Sequence, residues 1–198
     1  MSISMAIVDF IPVFLFLAAA VILQRDLYSS MSKGAFAVFS AGTICVFVAG
    51  FFKALWKLLY AAGICDFAAL SACFFPMQTT GWVLAAAGAL AMLVHKQGKN
   101  TAYAVAAPAV FASSMPFVVL MVLGVGVLNG SLAVVAKRRK CTGAVILYIL
   151  AFIMIMAMGY LSSRDFADPA MNWLAEGVNT LGQGSLLAAS LLMSKKKV

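Results

Sequence analysis

The residues whose types and spacing suit chemistry lie near the end of the chain. Glu176, Asn179, Thr180 and Gln183 recur at i, i+3, i+4 and i+7, which on a helix gives one polar stripe on a segment otherwise suited to lipid. A carboxylate inside a bilayer costs at least about 3 kcal/mol unless it faces protein or water, so the stripe is predicted to line a cavity. The plainer alternative is that these groups only hydrogen-bond neighbouring helices, while Gly177 and Gly184 let backbones approach.

A second carboxylate, Asp66, falls inside an apolar run expected to span from Ala54 to Phe75. With Glu176 it would make an acid/base pair holding one proton, positioned by the Asn179 and Gln183 amides. In the alternative Asp66 is simply protonated and bonded to a backbone carbonyl. Tyr60, upstream on the same run, is placed either to donate to Asp66 or to sit in an interfacial aromatic belt. Asn129, among glycines in a later apolar run, is either a ligand or a polar contact between helices. Lys33 opens the second run, where it would snorkel to a lipid headgroup or grip its phosphate.

The elements that must position these groups follow from composition. The chain is 65% hydrophobic and 10% charged, with a mean hydropathy of +1.06. A soluble domain needs a wetted exterior that this composition cannot supply. The reading is an all-α polytopic integral membrane protein, one domain over residues 1–198, with eight transmembrane helices in one bundle. The spans are placed at 5–23, 34–52, 54–75, 79–94, 101–112, 116–136, 143–161 and 170–193. Thr101 to Ala136 is divided at Ser113-Ser-Met-Pro116, because one helix of that length would run about 54 Å against a hydrocarbon core of roughly 30 Å. The 79–94 span is built largely from Ala and Gly, suited to close packing. Asp168 and Pro169 are an N-cap and first-turn proline for the last span.

Net charge is +8, with the basic residues at the ends of apolar segments. They read as topology signals and contacts to anionic headgroups, not as a nucleic-acid surface. Eight spans put Lys53, Lys57, Lys96, Lys99, Lys137 to Lys140 and Lys195 to Lys197 on the inner side, leaving Arg25, Lys33 and Arg164 outside. Both termini are then cytoplasmic, in what we expect is a bacterial inner membrane. Cys45, Cys65 and Cys73 lie in expected spans and Cys141 at a membrane edge. No CxxC pair occurs and His95 is the only histidine, so neither a metal site nor another cofactor is expected. No serine-nucleophile or phosphate-loop motif is present.

The span layout and several short motifs resemble the YhhN-type lysoplasmalogenase family. Met31-Ser-Lys-Gly34, followed by Phe36 and Phe39, is similar to the family's second span. Cys65-Asp66-Phe-Ala-Ala-Leu70 resembles its third-span Gly-Asp motif, with Cys for Gly. Gly177 to Ser185 lies where the family has a Gly, an apolar run and Ser-Asp, but ends Gly184-Ser185 without the Asp. Gly88 stands near the place of the family's fourth-span histidine. The resemblance implies hydrolysis of the vinyl-ether bond of a lysophospholipid, with Asp66 as acid and Glu176 as the base that orients water. Lys33, Tyr60, Asn129, Asn179 and Gln183 would hold the substrate. Two other classes stay open: a small transporter or solute-binding membrane subunit, and an inactive relative that binds membrane lipid. The oligomeric state is not legible.

Overall fold

Pro12 has no N–H to give the Val8 carbonyl, and in the computed structural model the first apolar run is divided at that point. The structure describes residues 2–94, 115–161 and 169–196. α1 (Ile3–Val8) leads into α2 (Phe10–Leu27) through Asp9, whose backbone stays helical (φ −55, ψ −22). A 3-10 turn over Tyr28–Ser30 follows. Ser32 then caps α3 (Lys33–Ala61), its hydroxyl accepting from the Ala35 N–H at 3.2 Å.

α3 replaces the expected second span and the first part of the third with one helix of 29 residues. Lys53 and Lys57, expected to flank a turn between two spans, lie inside it with partners. Lys53 donates to Ser71 Oγ at 2.7 Å and sits 4.6 Å from the Trp56 ring centre. Lys57 pairs with acids on two other helices. The helix stops at Gly63, which takes a left-handed φ of 67. The Ile64 N–H donates to Leu59 O and the Gly63 N–H to Tyr60 O, both at 3.1 Å, the paired bonds of a Schellman ending. Residues 62–67 are therefore a loop. α4 (Ala68–Ala72) and α5 (Phe74–Val94) follow it.

α3 and α5 meet at backbone distance. A Cβ at Gly42 would overlap the backbone of Ala85, and one at Gly88 would come within 2.7 Å of the Ala35 carbonyl. The Ala- and Gly-rich composition thus serves the close packing expected of it. α6 (Met115–Arg138) runs parallel to α5, since Thr79 donates to Phe117 O at 3.1 Å and Gly124 lies against Trp82. Val94 and Met115 therefore stand at opposite ends of the molecule. The span expected over 101–112 lies outside the described residues, as do His95, Arg164, Asp165 and Asp168. α7 (Thr142–Leu161) and α8 (Pro169–Ser194) complete the chain, with Pro169 opening α8 as expected.

The described residues are helical, without a strand. Among the described residues five stretches are long and apolar enough to cross a membrane: Ile3–Ser30, Lys33–Ala61, Ala68–Val94, Pro116–Arg138 and Thr142–Leu161. α8 is a sixth long helix, 26 residues with a more polar sequence. α2, α3, α5, α6, α7 and α8 close into a ring in which each packs on the next and α8 returns to α2.

Two charged clusters fix the direction of α2 and α8. Lys57 joins Asp9 to Glu176 near one end. At the other, Arg139 pairs with Asp26 and donates to Met193 O at 3.4 Å. The residue interval between the joined positions is the same on both helices, about 25 Å of helix, so α2 and α8 run parallel. Two expectations are corrected by this. Ser2 and Lys196 stand at opposite ends, so the two described chain ends do not share a face. Arg25 and Lys33 lie at the same end as Lys137 to Lys140 and Lys195, while Lys53 and Lys57 lie at the other.

Candidate functional site

Three helices bring Asp9, Lys57 and Glu176 together. Asp9 owes its place to the Pro12 break at the head of α2, Lys57 to the last turns of α3, and Glu176 to the second turn of α8. Both carboxylates are buried, Asp9 at 5% and Glu176 at 6% exposure. The Lys57 ammonium pairs closely with Asp9 Oδ2 and lies 3.6 Å from Glu176 Oε1. The two carboxyl groups are neighbours through that shared ammonium.

Charge counting defines what this arrangement can do. Two carboxylates share one ammonium in contact, with Lys53 a helical turn away acting on Asp9 only at longer range, so the less closely paired Glu176 is costly to keep charged unless a proton or another cation joins it. Asp9 Oδ1 and Glu176 Oε2 have no hydrogen-bond partner among the described residues. One proton held between the carboxyls satisfies both conditions, because a protonated carboxyl donates to its neighbour. The arrangement can hold one proton between the carboxyls, or accept two hydrogen bonds from a bound group.

Asp66 takes no part. It lies on the exposed 62–67 loop, where its Oδ1 accepts from the Trp56 indole N–H at 2.8 Å. Trp56 and Lys57 are successive residues of α3 and point about 100° apart, so Asp66 and Glu176 attach to different faces of that helix. Tyr60 is 53% exposed and stacks on Trp56 at 5.8 Å, sharing its neighbour with Asp66 as an aromatic surface residue. Because the Asp66 bond is exposed, Trp56→Phe should cost no more than about 1 kcal/mol of unfolding free energy, read by denaturant titration in detergent.

The other expected site residues divide. Gln183 is buried on α8 and its Oε1 lacks a hydrogen-bond partner among the described residues, while Asn179 is half-buried. Asn129 is 2% exposed; its amide donates to Val125 O at 3.0 Å, and its Oδ1 has no hydrogen-bond partner among the described residues. Lys33 is exposed at the opposite end of α3 from Lys57 and cannot reach the cluster. Gly177 and Gly184 each face open space, with nothing within 4 Å of an added Cβ, so they are not the close-approach positions of α8. Gly182 is, with Met154 Cβ 3.1 Å away.

Sequence reading missed Asp9 and Lys57. Asp9 carried a signal, a lone acid in an apolar run beside a proline. Lys57 carried a weaker one: with Lys53 it repeats at helical spacing inside an aromatic-rich segment, as a snorkelling helix residue does.

No family model matches this chain, and no curated protein or solved structure matches it either.

Proposed function

We propose that the chain is an integral membrane protein that exchanges protons, alone or with a polar solute, at the Asp9–Lys57–Glu176 cluster. In class it is a small transporter or a solute-binding membrane subunit. The observation that carries this reading is a pair of buried carboxylates sharing one half-buried lysine within a ring of largely apolar helices, since ionisable groups inside membrane helices mark ion and proton pathways. The basic end, with Arg25, Lys33, Lys137 to Lys140, Lys195 and Lys196, is the cytoplasmic one by the positive-inside rule. The C-terminus then lies inside and the N-terminus outside, with the cluster toward the outer face. A bacterial inner membrane remains the proposed location.

The test is proton entry into liposomes containing the purified protein, followed with an internal pH-sensitive dye under an imposed pH gradient. The protein should speed entry several-fold over empty liposomes, and Glu176→Gln should return the rate to the empty-liposome value. Equal rates for Glu176→Gln and the parent protein would refute the assignment.

One observation favours a second reading, the lysoplasmalogenase-like hydrolase. Asp9 and Glu176 are two buried acids brought to one lysine, so in this reading Asp9 takes the part expected of Asp66. Protonation of the vinyl-ether carbon by one acid and orientation of water by the other would cleave a lysophospholipid. Release of aldehyde from a lysoplasmalogen by the purified protein, lost in Asp9→Asn and kept in Asp66→Asn, would establish it over transport.

A further inference from the structure

Buried polar atoms without a partner are few in native proteins, and water commonly satisfies them. Beyond Asp9 and Glu176, the described residues place such atoms at Gln183 Oε1, Trp82 Nε1, Asn129 Oδ1 and Asp26 Oδ1, with Ser40 Oγ on the less buried side of α3. Their heights are not random. The shared register of α2 and α8 sets Phe16 level with Gln183, and the Phe16 ring meets the Trp82 ring edge-on at 5.4 Å. Gly124 packs against Trp82, so Asn129 lies just over a turn beyond it toward the basic end. Asp26 and Arg139 close that end.

The Asn129 and Trp82 side chains also face inward. Asn129 shares its arc of α6 with Val125, Leu128, Leu132 and Ala136, none more than 2% exposed, whereas Leu123, Val127 and Val134 on the opposite arc are exposed. Trp82 is 1% exposed and reaches across the ring from α5 to Phe16 on α2. The set mixes one N–H donor with amide and carboxylate acceptors. A metal cation is poorly matched to the indole donor, and an apolar ligand leaves every atom unpaired. Water both donates and accepts, and is small enough for a closely packed bundle.

We infer that the interior of the six-helix ring binds a file of water between the Asp9–Lys57–Glu176 cluster and the Asp26–Arg139 pair, and that the Phe16–Trp82 contact is the constriction interrupting it. Water on either side of two apposed rings gives a path for protons that the rings block at mid-height. The inference rests on the unpartnered atoms and their register, and it stands whether or not the protein moves a solute.

Trp82 reports on it directly. The protein, with nitrogen-15 in its tryptophan indoles, is placed in lipid nanodiscs and moved into heavy water, and the indole N–H signals are followed by NMR. Trp56, bonded to Asp66 on the exposed loop, is the internal standard. A wet interior predicts Trp82 exchange within about a hundredfold of Trp56, whereas slower exchange, as for a dry core opening only on global unfolding, overturns the file. In the liposome assay Phe16→Ala should raise proton leak at least about tenfold over the parent, the scale of removing about 1.4 kcal/mol from a barrier. An unchanged leak beside fast Trp82 exchange overturns the constriction. Because the exchange measurement uses the unaltered chain, a Phe16→Ala protein that does not fold leaves it decisive. Parent-rate proton entry in Glu176→Gln beside rapid Trp82 exchange would sink the cluster and leave the file standing, whereas loss of entry beside slow Trp82 exchange would do the reverse.

Discussion

Lys57→Met will cost the folded protein about 3–5 kcal/mol, the scale of removing one member of a buried ion pair. Two buried carboxyls then lose the ammonium both touch, at a point where neither has another cation within 4.0 Å among the described residues. The test of that cause is rescue. Adding Asp9→Asn to Lys57→Met removes one of the two acids, and the remaining Glu176 can be neutralised by a single proton. The double variant should therefore regain most of the loss, although it has lost more of the native polar groups. Both are read by denaturant titration of the purified protein in one detergent. A double variant no more stable than Lys57→Met would mean that Lys57 acts by packing its methylene stem and not by its charge.

Gly81→Leu should be the other severe change. A Cβ there comes within 2.7 Å of the Val46 backbone nitrogen and 2.8 Å of the Gly42 carbonyl. Backbone atoms of a neighbouring helix cannot step aside as a side-chain tip can, so α3 and α5 must separate along their contact. Overpacking typically costs about 1–3 kcal/mol, and the rigid neighbours here put the expected loss at the upper end or beyond. Gly184→Leu is the matched control on α8, with nothing within 4 Å of its added Cβ. It should shift stability by no more than about 0.5 kcal/mol. Equal losses at the two positions would show that leucine harms any glycine of this chain through the helix itself.

Much of the fold could be read in advance because the apolar runs are long and their stops are standard. α5, α6, α7 and α8 fall close to the expected ranges, and Pro169 opens α8 where a proline belongs. The failures share one physical source. Charged residues were taken to mark the ends of spans, but Lys53 and Lys57 have stems long enough to lie within a helix and carry their ammonium groups to partners. That joined two expected spans into α3. The true stop, Ala61-Ala-Gly63, was legible as a helix C-terminus, and reading it would have put Asp66 on a loop. Once the spans shift, the tally of basic residues shifts with them, and the two described ends move to opposite faces.

The site was half legible. Glu176 and Gln183 were found because a polar stripe at helical spacing is visible in one segment. Asp9 and Lys57 were not, because their meaning depends on which helices adjoin α8, and adjacency in a ring is not encoded in spacing along the chain. The ring order sets α2 beside both α3 and α8, and that adjacency converts three separate charges into one cluster.

The most direct measurement of the central claim compares three carboxyl variants of the full chain in liposomes, each under the same imposed pH gradient. Asp9→Asn and Glu176→Gln are predicted to lose protein-dependent proton entry together, while Asp66→Asn, altered on the exposed loop, keeps the parent rate. Loss in Asp66→Asn with parent rates in the other two would contradict the account.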